Sequence, residues 1–399
     1  MASSNTSVGH VFEKRYSMPY NLTDEQISTA LSFEWWVELC GSIPICVTGI
    51  VLNLTTIVIV LGSKLSANFF NWLVICLVIF DTNFLLVGIL EVCRKQLGES
   101  SILNYLFVYI THFYRSVILL CSEYMTILLA LERYQALSNC VECRCNSMIR
   151  TRYNLKRYFA LHKYRLIKYV GPVIVFASIF YIPKIMELTI AYQEICVNFT
   201  INSSANASEI ICNYIEVITP TKLRYNDMYV MWYLNVTNKS ITLVVPIVSL
   251  IYLNFNIFWS LKQHVSKLRL RRENIEVYEA LNDVDVEKER KIAKKEKNMI
   301  QQTLMLFAIV ILFLISHTPR TILNLEEWIY AEEYENARKT NCYWVQYWTL
   351  FLTPISHLLL QVNSMSSAFI YCIFNSLFRE AMIVKCERSS SRSIEMANI

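Results

Sequence analysis

Apolar residues gather in seven long blocks, at approximately 37–62, 69–92, 103–133, 167–191, 238–262, 299–325 and 347–374, and polar or charged segments separate them. Each block exceeds the roughly 20 helical residues that cross a bilayer. In hydrocarbon every backbone N–H and C=O must be satisfied within the chain, which a helix does by itself. The pattern therefore predicts an all-α membrane protein with seven spanning helices. The polar start, MASSNTSVGHVFEKRY, carries no cleavable signal pattern, so the first block is expected to direct its own insertion. No internal repeat is visible, which argues against a transporter built from inverted halves.

The charge distribution orients the bundle. About 25 of the 37 Lys and Arg residues fall in the segments that lie inside if the N-terminus is outside; about nine fall outside and about three within the blocks. By the positive-inside rule the N-terminus is outside and the C-terminus cytoplasmic. The glycosylation sequons at Asn5, Asn21, Asn198, Asn202 and Asn206 all fall on that outer side. Cys93, Cys196, Cys212 and Cys342 share it, where disulfides persist, and Cys40 lies near the outer end of the first block. The C-x2-C-x-C cluster at 140–145 lacks a nearby His and is not a metal centre on this pattern. The loop between the fifth and sixth blocks alternates acids and bases at helical spacing. This predicts cytoplasmic continuations of both helices, with a flexible centre near Asn282–Asp285.

Ionisable and polar residues inside the blocks are costly, and each is a functional candidate. Asp81 lies in mid-span two, Asn53 in mid-span one, and Ser122 about eleven residues before Arg133. Asn363, Ser364 and Ser367 cluster in span seven. Similar depths suggest one shared interior network. Glu91 lies about ten residues, or roughly 15 Å of helix, outward from Asp81, with Arg115 at comparable height on span three. Neither is cheap to leave alone, so the two are expected to face each other. His112, His317 and His357 are isolated within spans and read chiefly as hydrogen-bonded packing residues. There is no nucleophile motif, phosphate loop or metal-ligand cluster, so the chain does not read as an enzyme, and nothing suggests nucleic-acid binding.

In this order and spacing the motifs resemble the rhodopsin-like (class A) G-protein-coupled receptors. Asn53, Asp81, the triplet Glu132-Arg133-Tyr134, Pro246, Pro319 and Tyr371 match family positions, and Asn375 to Arg379 looks like the start of a short helix after span seven. TKLRYNDMYVMWYLN, SHTPRTILNLEE and NSMSSAFIYC are most similar to invertebrate FMRFamide-receptor-like neuropeptide receptors. Departures are Val108 at the usual span-three Cys, Ser316-His317-Thr318-Pro319 in span six, Ser367-Ala368 in span seven, and no Trp in span four.

The resemblance implies a seven-transmembrane helix bundle with a short C-terminal membrane-surface helix. The division is then a glycosylated arm (1–36), a receptor domain (37–386) and a cytoplasmic tail (387–399). It also implies a plasma-membrane receptor for an extracellular, amidated neuropeptide, with a heterotrimeric G protein and the bilayer as partners. A receptor for a non-peptide ligand, or a channel or transporter, is the alternative. Glu132 is expected to restrain Arg133 in the resting state, with Tyr134 and Tyr371 in the same coupling machinery. Asp81, Ser122, Asn363 and Ser364 are expected to hold an allosteric sodium ion; no other cofactor is implied. Glu91, Arg115, His112, Glu326 and Glu327 are the expected ligand contacts, with the acids between spans six and seven forming a vestibule for a cationic peptide. The expected disulfide is Cys93 to Cys212, with Cys196–Cys212 as the main rival; Cys40–Cys342 is a further candidate link between the outer ends of spans one and seven.

Overall fold

The computed structural model describes residues 22–63, 68–96, 101–142, 155–200, 208–226, 228–278, 283–339, 344–374 and 378–384. It forms a bundle of seven helices long and apolar enough to cross a membrane: Asp24–Leu61, Phe69–Lys95, Ile102–Ala136, Tyr164–Met186, Tyr229–Ser260, Thr303–Ile329 and Tyr347–Phe374, here spans one to seven.

Span one shows how sequence chooses its neighbours. Val47, Val51, Leu54, Val58 and Leu61, at alternating steps of four and three, are all about half exposed. They form a stripe that faces lipid. On the opposite side Cys46, Asn53, Thr56 and Val60 are buried. Small and polar residues thus face the bundle and branched apolar ones face outward, as expected where lipid supplies the apolar surroundings. Gly49 lies on the inner stripe, where Leu85 and Met365 approach closely.

Several boundaries differ from those the hydropathy suggests. Span one begins at Asp24, thirteen residues before its apolar block. Thr23 starts it with a capping box: Thr23 Oγ1 accepts from the Gln26 amide, and Gln26 Oε1 accepts from the Thr23 amide. Lys95 at the end of span two then ties this polar extension down through Glu34 (2.8 Å) and Glu38. Span five begins at Tyr229, and its outer turns are wound as a π-helix. Spans five and six continue as helix to Tyr278 and from Asp283, as the charge pattern suggests, but Asp283–Asp285, expected in a flexible centre, are helical.

The largest departure follows span four. Leu188–Thr200 (β1) and Ser208–Pro220 (β2) form an antiparallel hairpin between spans four and five, an element the apolar blocks do not predict. The helix Ala331–Lys339 joins spans six and seven. Residues 378–384 are helical, in accord with the short C-terminal helix; Phe378 meets Tyr371 edge-on at 5.1 Å.

Packing is uneven along the bundle. The largest apolar cluster lies in the half remote from the hairpin and includes Phe70, Leu77, Met125, Leu129, Leu306 and Phe313. The hairpin half has two small clusters, one around Val117, Leu120 and Tyr181, the other Phe84, Ile118 and Leu360. Much of its remaining cohesion is polar.

Candidate functional site

Polar side chains gather at three depths. Toward the hairpin end, Arg115 on span three donates to Glu91 Oε2 on span two, and both side chains are largely buried. The Arg115 guanidinium also lies 5.7 Å from the Phe84 ring centroid. The facing pair expected from the cost of each charge is therefore present.

One turn outward, His112 Nε2 donates to Glu187 Oε2 at 3.3 Å. Glu187 is fully buried. It accepts further bonds from Arg224 (2.9 Å) and from the Tyr229 hydroxyl (2.8 Å). Burial alone would raise its carboxyl, yet the bond from His112 and the charges of Lys184 and Arg224 hold it at about 2, well below the usual carboxylate range. His112 is thus committed to Glu187.

The acids between spans six and seven do not form an open cluster. Glu326 is buried, and its carboxylate accepts from the Tyr334 hydroxyl at 3.3 Å. Glu327 pairs with Lys239 of span five at 3.2 Å. Glu332 and Glu333 are exposed. The vestibule expected from composition is reduced, because two of its acids are engaged with the bundle itself.

At mid-depth Asp81 is wholly buried, and Ser122 Oγ donates to its Oδ1 at 2.6 Å. Ser364 and Ser367 lie beside the same carboxylate. Asp81 Oδ2 has no hydrogen-bond partner among the described residues. Asn53 Nδ2 donates to the Ser364 carbonyl at 3.4 Å, and the Asn363 carbonyl accepts from Ser366 at 2.8 Å. A carboxylate with an open oxygen, ringed by hydroxyls, is a donor set that fits a hard monovalent cation. No group of three or more His, Cys, Asp or Glu suited to a metal occurs among the described residues.

Close by is a pair that the sequence reading missed. Glu123 on span three and His317 on span six are both buried, with Oε1 and Nδ1 3.8 Å apart. His317 stacks on Phe313 at 4.1 Å. An acid in LCSEYMTILL is as costly as Asp81, so its position within a span was signal enough.

At the far end Arg133 is buried, with its guanidinium 3.7 Å from the Phe70 ring centroid. Tyr371 is buried, and its hydroxyl donates to Asn71 Oδ1 at 3.1 Å. Tyr134 packs against the main core. Glu132 lines a cleft with Leu73, Leu128 and Tyr169, and the nearby positive charges acting on it are Arg133 and Arg165.

The expected Cys93–Cys212 disulfide is not formed, since Cys93 is free. The reason is the hairpin: its register sets Cys212 opposite Cys196, within the loop. Cys40 is also free, and Cys342 lies outside the described residues. Of the sequons, Asn198 falls on β1, while Asn5, Asn21, Asn202 and Asn206 lie outside the described residues.

No family model matches the chain. Among characterised proteins it is similar to the FMRFamide receptor of Drosophila melanogaster, with 23% identity over 362 residues, covering 88% of this chain and 54% of that receptor. The chain thus spans about half the length of the relative it matches. The similarity covers most of the chain, and the seven spans support a multi-pass membrane protein.

Proposed function

We propose that this protein is a G-protein-coupled receptor of the rhodopsin-like class, activated by an extracellular amidated peptide. The observation that carries this reading is the buried Glu91–Arg115 pair at the hairpin end, in a bundle whose length aligns with a receptor for FMRFamide. A peptide cation entering from that end competes with Arg115 for Glu91. Exchanging one partner for another gives the ligand different affinities for two arrangements of the bundle, which is what shifts a population. The ligand's aromatic ring has the apolar walls around Phe84 and Ile118 to pack against.

At the opposite end Arg133, Glu132 and Tyr371 form the element that couples to a heterotrimeric G protein. Arg133 is held off water by Phe70 and acted on by Glu132. A buried charge of this kind has few stable alternatives, so a small change in span packing moves it between discrete arrangements.

The test uses cells expressing the full chain and a panel of amidated peptides that includes Phe-Met-Arg-Phe-amide, read by G-protein dissociation. A response is expected in wild type and its loss in Glu91→Arg at unchanged surface expression. A normal response in Glu91→Arg overturns the pocket assignment. Ion flux without G-protein dissociation overturns the receptor reading.

A further inference from the structure

The hairpin must be held to the bundle by something. The cysteines of spans one, two, three and seven are free, so no disulfide from these spans supplies the tie. Val108, one turn outward from His112 on span three, is buried and apolar. The hairpin's two ends meet at Glu187 and Thr221, where the Thr221 amide donates to the Glu187 carbonyl at 2.9 Å and Thr221 Oγ1 donates to the Met186 carbonyl at 2.5 Å. These bonds close the hairpin's base but do not fix it to span three.

The Glu187 side chain does. Its Oε2 faces His112 of span three and Arg224 of the turn after β2, and its Oε1 faces Tyr229 at the start of span five. One carboxylate therefore joins the end of span four, span three, the exit of the hairpin and the entry to span five. Three donors converge on two oxygens, with Lys184 adding positive charge nearby. Charge-assisted bonds of this kind are roughly twice as strong as neutral ones. A second, lighter contact, Tyr105 to Tyr192 between hydroxyls at 3.3 Å, holds β1 further along span three.

We infer that Glu187 is the positioning residue of the hairpin end. Its buried carboxylate clamps the hairpin and the start of span five onto span three, in the role a covalent tie from span three would otherwise fill. Resting on the proposed peptide reading, the consequence for ligand is kinetic. The clamped hairpin retards departure, so the clamp sets residence time rather than the size of the response.

Two measurements test this on the full-length receptor in lipid nanodiscs. The first needs no ligand: backbone hydrogen exchange across 188–220 in wild type, Glu187→Gln, Arg224→Gln and the double variant. Exchange is expected to accelerate about tenfold or more in Glu187→Gln, as loss of charge-assisted bonds implies. Arg224→Gln is expected to accelerate it on the native background and to add nothing to Glu187→Gln, because both act through one carboxylate. Unchanged exchange in Glu187→Gln, or additive effects, overturns the clamp. If Glu187→Gln does not fold, Tyr229→Phe with Arg224→Gln gives the same comparison. The second measurement follows Phe-Met-Arg-Phe-amide dissociation. Faster release with an unchanged maximal response supports the assignment, and a reduced maximum at unchanged release overturns its kinetic part. A wild type silent to every peptide removes the peptide reading and its kinetic corollary while the exchange result still decides the clamp.

Discussion

The Glu91–Arg115 pair permits a quantitative test that separates folding from binding. Replace Glu91 by Leu and Arg115 stays in the bundle with the Phe84 ring but without its carboxylate. Both side chains are less than one-fifth exposed. At contact distance and an effective dielectric near 20, their attraction is about 4 kcal/mol. Stranding one member of such a pair costs about 3–5 kcal/mol, whereas replacing both by apolar residues of similar volume is often near neutral. Glu91→Leu and Arg115→Leu are therefore each expected to lower the unfolding temperature of the purified protein by several degrees. The double variant is expected to recover to within about 1 kcal/mol of wild type. Thermal unfolding can be followed by reaction of a dye with the buried thiols of Cys46 and Cys121. The double variant should then be well folded yet weakly responsive. On the proposed reading it lacks the carboxylate that receives the peptide cation, and losing about 3 kcal/mol lowers potency roughly a hundredfold. Destabilisation of the double variant by the sum of the single effects would refute the stranded-charge argument. A stable double variant with normal potency would refute the pocket.

Other expectations follow from single contacts. A Cβ on Gly49 would lie 2.6 Å from Leu85 Cδ1 and 3.0 Å from Met365 Cβ, so Gly49→Ala should cost about 1–3 kcal/mol, while Gly171→Ala, with its nearest neighbour at 3.9 Å, should be tolerated; unfolding temperatures decide it. If the Asp81 cluster holds sodium, added sodium should lower agonist affinity in wild type and leave Asp81→Asn unaffected, and an equal response in both excludes the site. The Glu187 carboxyl is depressed from 4.5 to about 2, so the stability it contributes, about 3 kcal/mol, is present above pH 4.5 and lost as pH falls towards 2. Hairpin exchange, corrected for its intrinsic pH dependence, should stay slow at pH 6 and rise only in that acid window. Peptide mapping without reduction should recover Cys196 linked to Cys212, as their opposed positions imply; a Cys93–Cys212 peptide would contradict the register.

Length and hydropathy revealed the spans because lipid imposes a single strong constraint on them. The Glu91–Arg115 pair was legible for the same reason: two isolated charges at one depth had to meet. What stayed hidden was whatever depended on distant partners or on the ends of elements. The start of span one is polar, and its cap, Thr23 with Gln26, is a local motif that hydropathy averages away. The hairpin could have been read: LTIAYQEICVNFT and SEIICNYIEVITP are rich in β-branched and aromatic residues around a polar turn. Glu187 gave less warning. A charge at the end of a span is ordinary, and its partners stand 37 and 75 residues away on other elements.

These elements divide the bundle into ends with different cohesion. The Arg133 end is held by a continuous apolar core, into which Arg133 and Tyr371 are packed with defined partners. The hairpin end is held by ion pairs and hydrogen bonds, among them Glu91–Arg115, the Glu187 clamp and Lys239–Glu327. Apolar packing at core density rearranges only at the cost of cavities or overlap. A polar tie can be exchanged for another donor or acceptor at little net cost if the replacement arrives as the first bond breaks. A molecule binding at the hairpin end can therefore rearrange ties there without first breaking the core. Spans three and six face each other at Glu123 and His317, between the hairpin end and Arg133. Those two groups are buried and only 3.8 Å apart, and Glu123 Oε2 and His317 Nε2 have no hydrogen-bond partner among the described residues. A displacement of one span against the other must change that pair, and Phe313, stacked on His317, belongs to the same apolar core that holds the Arg133 end.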